Sequence, residues 1–158
     1  PANSETPYHQ VIFARGYYAS ALHEISHWCI AGEYRRTLRD FGYWYCPDGR
    51  SIDQQQAFEK AEIKPQALEW LFSVAAGARF HISVDNLSGD GAWNEDAFRR
   101  NVTLQANDYL EYGLPARAGM FFQTLRTFYG TEADFNEVWK KETRRLMPEC
   151  SATDTEVN

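Results

Sequence analysis

Histidine is scarce in this chain, four among 158 residues, and cysteine is scarcer still at three. Cys29, Cys46 and Cys150 show no C-x-x-C spacing, and an odd count makes a poor disulfide framework. A reducing, cytoplasmic setting is therefore expected. Basic residues are outnumbered, sixteen Lys and Arg against twenty-two Asp and Glu, for a formal charge of −6. That balance speaks against non-specific binding to nucleic acid or to an anionic membrane. No apolar run approaches the length of a membrane span, and no signal-peptide pattern is present. The basic pairs Arg35-Arg36, Arg99-Arg100 and Arg144-Arg145 read as solvated helix faces, with a docking patch for an acidic protein as the competing reading. The chain opens at Pro1 instead of Met, so an upstream segment is expected.

Aromatic residues, by contrast, are abundant: ten Phe, nine Tyr and five Trp. A chain of this length fits one domain with a substantial core, placed at 8–147 between flexible termini at 1–7 and 148–158. Val11 to Ala14 reads as a short strand, followed by a helix over about 17–31 and a shorter one within 33–40. Phe41 to Cys46 favours β structure and is strongly aromatic, either as core or as the wall of a pocket. Pro47-Asp48-Gly49 is a turn signal. Ser51-Ile52-Asp53-Gln54 has the pattern of a capping box. The helix it opens should break near Ile63-Lys64, because Pro65 lacks an amide proton and crowds the carbonyl four residues earlier. A new helix then runs from Pro65 to about Ala76. Phe80 to Val84 alternates like a strand. Asn94 caps a helix over about 95–112 closed by Gly113; the sequon Asn101-Val102-Thr103 falls within it and is read as chance. Pro115 begins a helix ending at Gly130, with Met120, Phe121, Leu125 and Phe128 as its apolar stripe, and Thr131 caps a last helix to about Met147. The fold class expected is α+β, predominantly helical: a single zincin-like domain with a few short strands.

The stretch from Ala21 to Gly32 organises the rest. His23 and His27 are four residues apart, hence about 40° apart around a helix and one turn along it. Two imidazoles so placed can reach one metal ion. Glu24 lies about 100° round from His23, beside that ion, where a carboxylate can handle protons. Leu22, Ile25 and Cys29 fall on another face and can pack into a core. Gly32 tolerates a left-handed conformation and is expected to terminate the helix. The competing reading is a buried amphipathic helix with two incidental histidines. His9 and His81 read as surface or packed histidines.

Two imidazoles hold a catalytic metal poorly, so a third protein ligand is required. Glu59, Glu62 and Glu69 are the candidates. On one continuous helix Phe58, Glu62, Pro65, Glu69 and Phe72 would share an apolar face, and an acid there needs a partner to offset its desolvation. Glu62 and Glu69 are about 10 Å apart along such a helix, too far for one ion to take both. Glu62 is favoured, ahead of Glu69 and then Glu59. Asp85 and Asn86 read chiefly as turn formers. Two chemistries fit these ligands. With Zn²⁺, Glu24 would activate a bound water for a peptidase-type hydrolysis; with Fe²⁺, the open positions would serve O₂ and a hydroxylation.

Phe13 to Gly32, Asp40 to Arg50, Glu62 to Phe72, and Asp85-Asn86-Leu87 with Gly89 resemble the bacterial elongation factor P hydroxylase family. The resemblance spans about residues 8 to 130. It implies an O₂-using, metal-dependent hydroxylase, with Fe²⁺ as the expected ion. The substrate it implies is a lysine of translation elongation factor P, usually already extended by a β-lysyl group. It also implies a two-His-one-carboxylate site at His23, His27 and Glu62, with Glu24 handling protons beside it. The zinc metallopeptidase remains the alternative, and a non-catalytic module that binds the factor is a third reading. Neither direct nucleic-acid contact nor a membrane is implied.

Overall fold

The computed structural model describes residues 2, 6–14, 16–38, 51–83 and 94–147. Six helices carry this part of the chain: α1 Tyr18–Ile30, α2 Glu33–Thr37, α3 Ile52–Ala75, α4 Glu95–Tyr112, α5 Ala116–Tyr129 and α6 Phe135–Leu146. Helix α3 is the axis of the domain and packs against α1, α4, α5 and α6. From Pro65 to Ala76 every residue of this segment is buried, the pattern of a helix enclosed on all sides. Trp70 stacks on Phe80 with ring centroids 5.6 Å apart and meets Trp139 at 4.4 Å. Phe72 meets Phe121 edge-on at 5.0 Å. The aromatic content thus supplies much of the core.

No strand occurs among the described residues, which overturns the α+β, zincin-like expectation. Val11 to Ala14 is exposed and irregular. Phe80 to Ser83 does alternate, with Phe80 buried, Ile82 packed against the core and His81 exposed, but side chains take the place of a neighbouring strand. The Gln66 amide donates to Ser83 O at 2.6 Å and accepts from Ser83 N at 3.1 Å, while Arg145 donates to Phe80 O at 2.6 Å. Alternation therefore reported burial, not a ladder. The expectations for 41–46, for the turn at 47–49 and for Asp85 and Asn86 lie outside the described residues.

Pro65 does not break its helix. Helix α3 runs uninterrupted for 24 residues with Pro65 inside it. An interior proline costs about 3 kcal/mol in an isolated helix, and here burial of the surrounding turns against four other helices outweighs that cost. The start of α3 is as expected: Gln54 N donates to Ser51 Oγ at 3.3 Å and Ser51 N to Gln54 Oε1 at 3.0 Å. Its end is a Schellman turn, with Gly77 at φ +67° and Ala78 N bonded to Ser73 O at 2.8 Å. Asn94 caps α4 through Ala97 N at 2.9 Å. Two other details differ from expectation. Met120 and Phe128 are 65% and 77% exposed, so of the expected α5 stripe Leu125 is buried and Phe121 packs against the core, with Ala118 and Phe122 completing the inward face. Thr131 caps no helix; its hydroxyl donates to Ala75 O at the end of α3, at 2.6 Å, and α6 begins later, after Asp134.

Candidate metal centre

Helix α1 carries His23 and His27 on the face it turns to α3, while Leu22, Ser26 and Cys29 are buried in the core. Ser26 disposes of its hydroxyl by donating to Leu22 O at 2.8 Å. The helix ends where the sequence suggests but by another device. Gly32 is extended, at φ −65° and ψ 166°, not left-handed. The last carbonyls of α1 are held by two arginines: Arg36 donates to Ala31 O at 2.6 Å, and Arg117 donates to Cys29 O at 2.8 Å, to Trp28 O at 3.3 Å and to Ala31 O. The Arg117 guanidinium also lies 5.1 Å from the centroid of the Trp28 ring. Nothing in the local sequence around α1 announces Arg117, which arrives from α5.

Helices α1 and α3 run antiparallel, so that passing from His23 to His27 leads from Glu69 to Glu62. His23 Nδ1 lies 2.8 Å from Glu69 Oε2, and its Nε2 lies 3.5 Å from Glu62 Oε2. His27 Nε2 is 3.3 Å from Glu62 Oε1 and 3.1 Å from His23 Nε2. His23, His27 and Glu62 offer three ligand atoms all within 4.8 Å of one another, and form the one such group among the described residues. Two nitrogens bound to one ion at about 2.0–2.1 Å, with bond angles between about 90° and 109°, stand about 2.8–3.4 Å apart. The observed Nε2 separation falls within that range, so the donors fit a divalent cation. Such an ion would also offset the desolvation of Glu62, whose side chain is only 6% exposed. The two imidazoles are 26% and 27% exposed, which leaves one side of the centre open to an approaching substrate.

The electrostatics of the His23–Glu69 contact are tightly coupled. Burial works against a charged imidazole, but the hydrogen bond and charge of Glu69, followed by the charges of Glu62 and Glu24, outweigh it and raise the His23 pKa above its ordinary value. Burial likewise pushes the Glu69 carboxyl up, with the His23 hydrogen bond and charge opposing. Both shifts favour keeping a proton on the line between Nδ1 and Oε2.

The remaining sequence candidates stand outside the ligand group. Glu59 is engaged by Gln55, whose amide donates to it at 3.1 Å. Glu24 is half-buried next to His23 and does not belong to the ligand group. His81 is exposed, and His9 places its ring 6.5 Å from that of Trp28. Each basic pair has at least one arginine that serves the fold: Arg36 holds the end of α1, Arg99 pairs with Glu95 and Asp96, and Arg145 pairs with Glu142. No helix among the described residues is long and apolar enough to cross a membrane. Sequence reasoning ranked Glu69 only as a competing ligand; its spacing of seven residues from Glu62 was the signal that both face α1.

Comparison with known proteins gives two findings. A family described as elongation factor P hydroxylase matches residues 1–138. A protein of Haemophilus influenzae named elongation factor P lysine hydroxylase is 54% identical over 136 residues, covering 86% of this chain and 76% of that protein.

Proposed function

The chain belongs to the elongation factor P hydroxylase family, and from that premise we propose that it hydroxylates a lysine of translation elongation factor P at an ion held by His23, His27 and Glu62. The observation that carries the metal assignment is the convergence of both Nε2 atoms and the Glu62 carboxylate within 4.8 Å. A ferrous ion held by such a set supplies O₂ chemistry, because two imidazoles and one carboxylate leave coordination positions open.

The chain's own residues do the rest. His23 and His27 present their Nε2 atoms from one helix, 3.1 Å apart. Glu62 brings one negative charge from α3 and ties the two helices through the site. Glu24 is the proton-handling residue, half-buried beside His23 and adding negative potential there. The open side of the imidazole pair admits a long lysine side chain, extended by a β-lysyl group as the resemblance implies. The setting proposed is the cytoplasm, where a translation factor is met. The zinc peptidase reading is not favoured, since both the family and the relative are hydroxylases.

The test is intact-mass spectrometry of β-lysylated elongation factor P incubated aerobically with the iron-loaded protein and a reductant. A gain of one oxygen is expected, absent with His23→Ala or Glu62→Gln and retained with Glu59→Gln. Unmodified factor after incubation with the wild type would sink the reading. Cleavage of a peptide library by the zinc form, lost in Glu24→Gln, would restore the hydrolase.

A further inference from the structure

We propose that Glu69 is a positioning residue: it accepts a hydrogen bond from His23 Nδ1–H, locks that ring in the Nδ1-protonated tautomer, and so turns a bare Nε2 towards His27 and Glu62. The proposal deepens the metal assignment and rests on it only for its consequence, not for the lock itself. The geometry is direct. Glu69 Oε2 lies 2.8 Å from Nδ1, on the far side of the imidazole from the Nε2 atom that faces His27 at 3.1 Å. Glu69 is buried, at 7% exposure, so water competes little for either the carboxylate or the ring nitrogen.

A neutral imidazole carries one proton on one of two nitrogens, and the hydrogen bond made by one nitrogen decides what the other can do. Without an acceptor at Nδ1, the ring is free to protonate Nε2, which would then donate to His27 Nε2 or to Glu62 and block the site. Carboxylate partners of this kind orient metal-binding histidines and raise their basicity, and losing one costs about 10- to 100-fold in metal affinity. The position needs an uninterrupted α3. Glu62 and Glu69 are seven residues apart, about two turns, so one continuous helix presents both carboxylates to opposite edges of a single ring. A break at Pro65 would have separated them.

The test has two arms. In the first, metal-free protein labelled with ¹⁵N at histidine is read by long-range ¹⁵N–¹H NMR at about pH 9, above the ordinary imidazole range. Wild-type His23 is expected to carry its proton on Nδ1. Glu69→Ala shifts it towards the Nε2-protonated form, with exposed His81 unchanged as the internal control. In the second arm, competition with a chromogenic chelator measures Co²⁺ binding. Glu69→Gln and Glu69→Ala should lose about 10- to 100-fold in affinity while keeping one ion and the wild-type visible spectrum, because no ligand is removed. Glu69→Gln is isosteric and keeps the affinity arm readable should Glu69→Ala fold poorly. A wild-type ring protonated on Nε2, or a tautomer unchanged in Glu69→Ala, overturns the lock. A changed Co²⁺ spectrum in both variants overturns it too, making Glu69 a ligand. A wild-type protein with the expected tautomer that binds no ion overturns the metal assignment and leaves the lock supported.

Discussion

Replacing Arg117 by Met tests how α1 is held, because the substitution keeps most of the side-chain stem and removes the guanidinium. Three carbonyls at the end of α1, those of Trp28, Cys29 and Ala31, lose a charged donor. Hydrogen bonds to a charged group contribute about 1.5–3 kcal/mol net. A cation at a helix C-terminus adds about 0.3–1 kcal/mol, and the guanidinium above Trp28 about 0.5–2 kcal/mol. These effects share one group and overlap, and Arg36 still holds Ala31 O, so the net loss should be about 2–4 kcal/mol. In a chain of this length each kcal/mol moves the melting temperature by about 2–4 °C, giving a fall of about 4–16 °C. The change also reaches the site. His27 lies in the last turn of α1 and its carbonyl accepts from Ala31 N at 3.0 Å, so fraying there loosens His27 relative to His23 and weakens metal binding. Arg117→Lys should recover less than half the loss, since the shorter lysine keeps a cation but does not carry its nitrogen to the point from which Nη2 alone reaches all three carbonyls. Thermal unfolding with chelator competition reads both effects. A melting temperature within about 2 °C of wild type, with metal affinity intact, would refute the clasp.

Two further outcomes are expected. Trp70→Ala removes a fully buried ring stacked on Phe80 and set against Trp139, and denaturant unfolding should show a loss of about 3–5 kcal/mol. Burial pushes the Cys29 thiol up to about 11, with the charge of Arg117 opposing. In a Cys46→Ser, Cys150→Ser background a thiol reagent at pH 8 should therefore modify the unfolded but not the folded chain. Because the folded pKa is raised, the associated stability is present below the ordinary thiol range and is lost as pH rises towards about 11; a stability flat from pH 8 to 11 would contradict this.

The centre itself was half legible. The spacing of His23 and His27 is a property of one helix and needs no tertiary information. Placing Glu62 in the group required an argument about a buried acid on one continuous helix, and α3 is continuous through Pro65, where the sequence suggests a break. The role of Glu69 was harder, since a carboxylate seven residues from Glu62 looks like a rival ligand until the opposite edge of the His23 ring is seen to meet it.

What the sequence determined by itself is what acts within about one turn: the capping box at Ser51 and Gln54, the cap at Asn94, the positive φ of Gly77, Gly113 and Gly130, and the imidazole pair on α1. Each depends on backbone groups three or four residues away, so neighbours in sequence suffice. Tertiary structure alone decided that Pro65 would sit inside a helix, that Phe80 to Ser83 would be pinned by Gln66 and Arg145 instead of a strand, and that α1 would end on Arg117. Those outcomes turn on burial and on donors supplied from distant positions. A local preference worth about 3 kcal/mol yields when packing on every side of a helix contributes more.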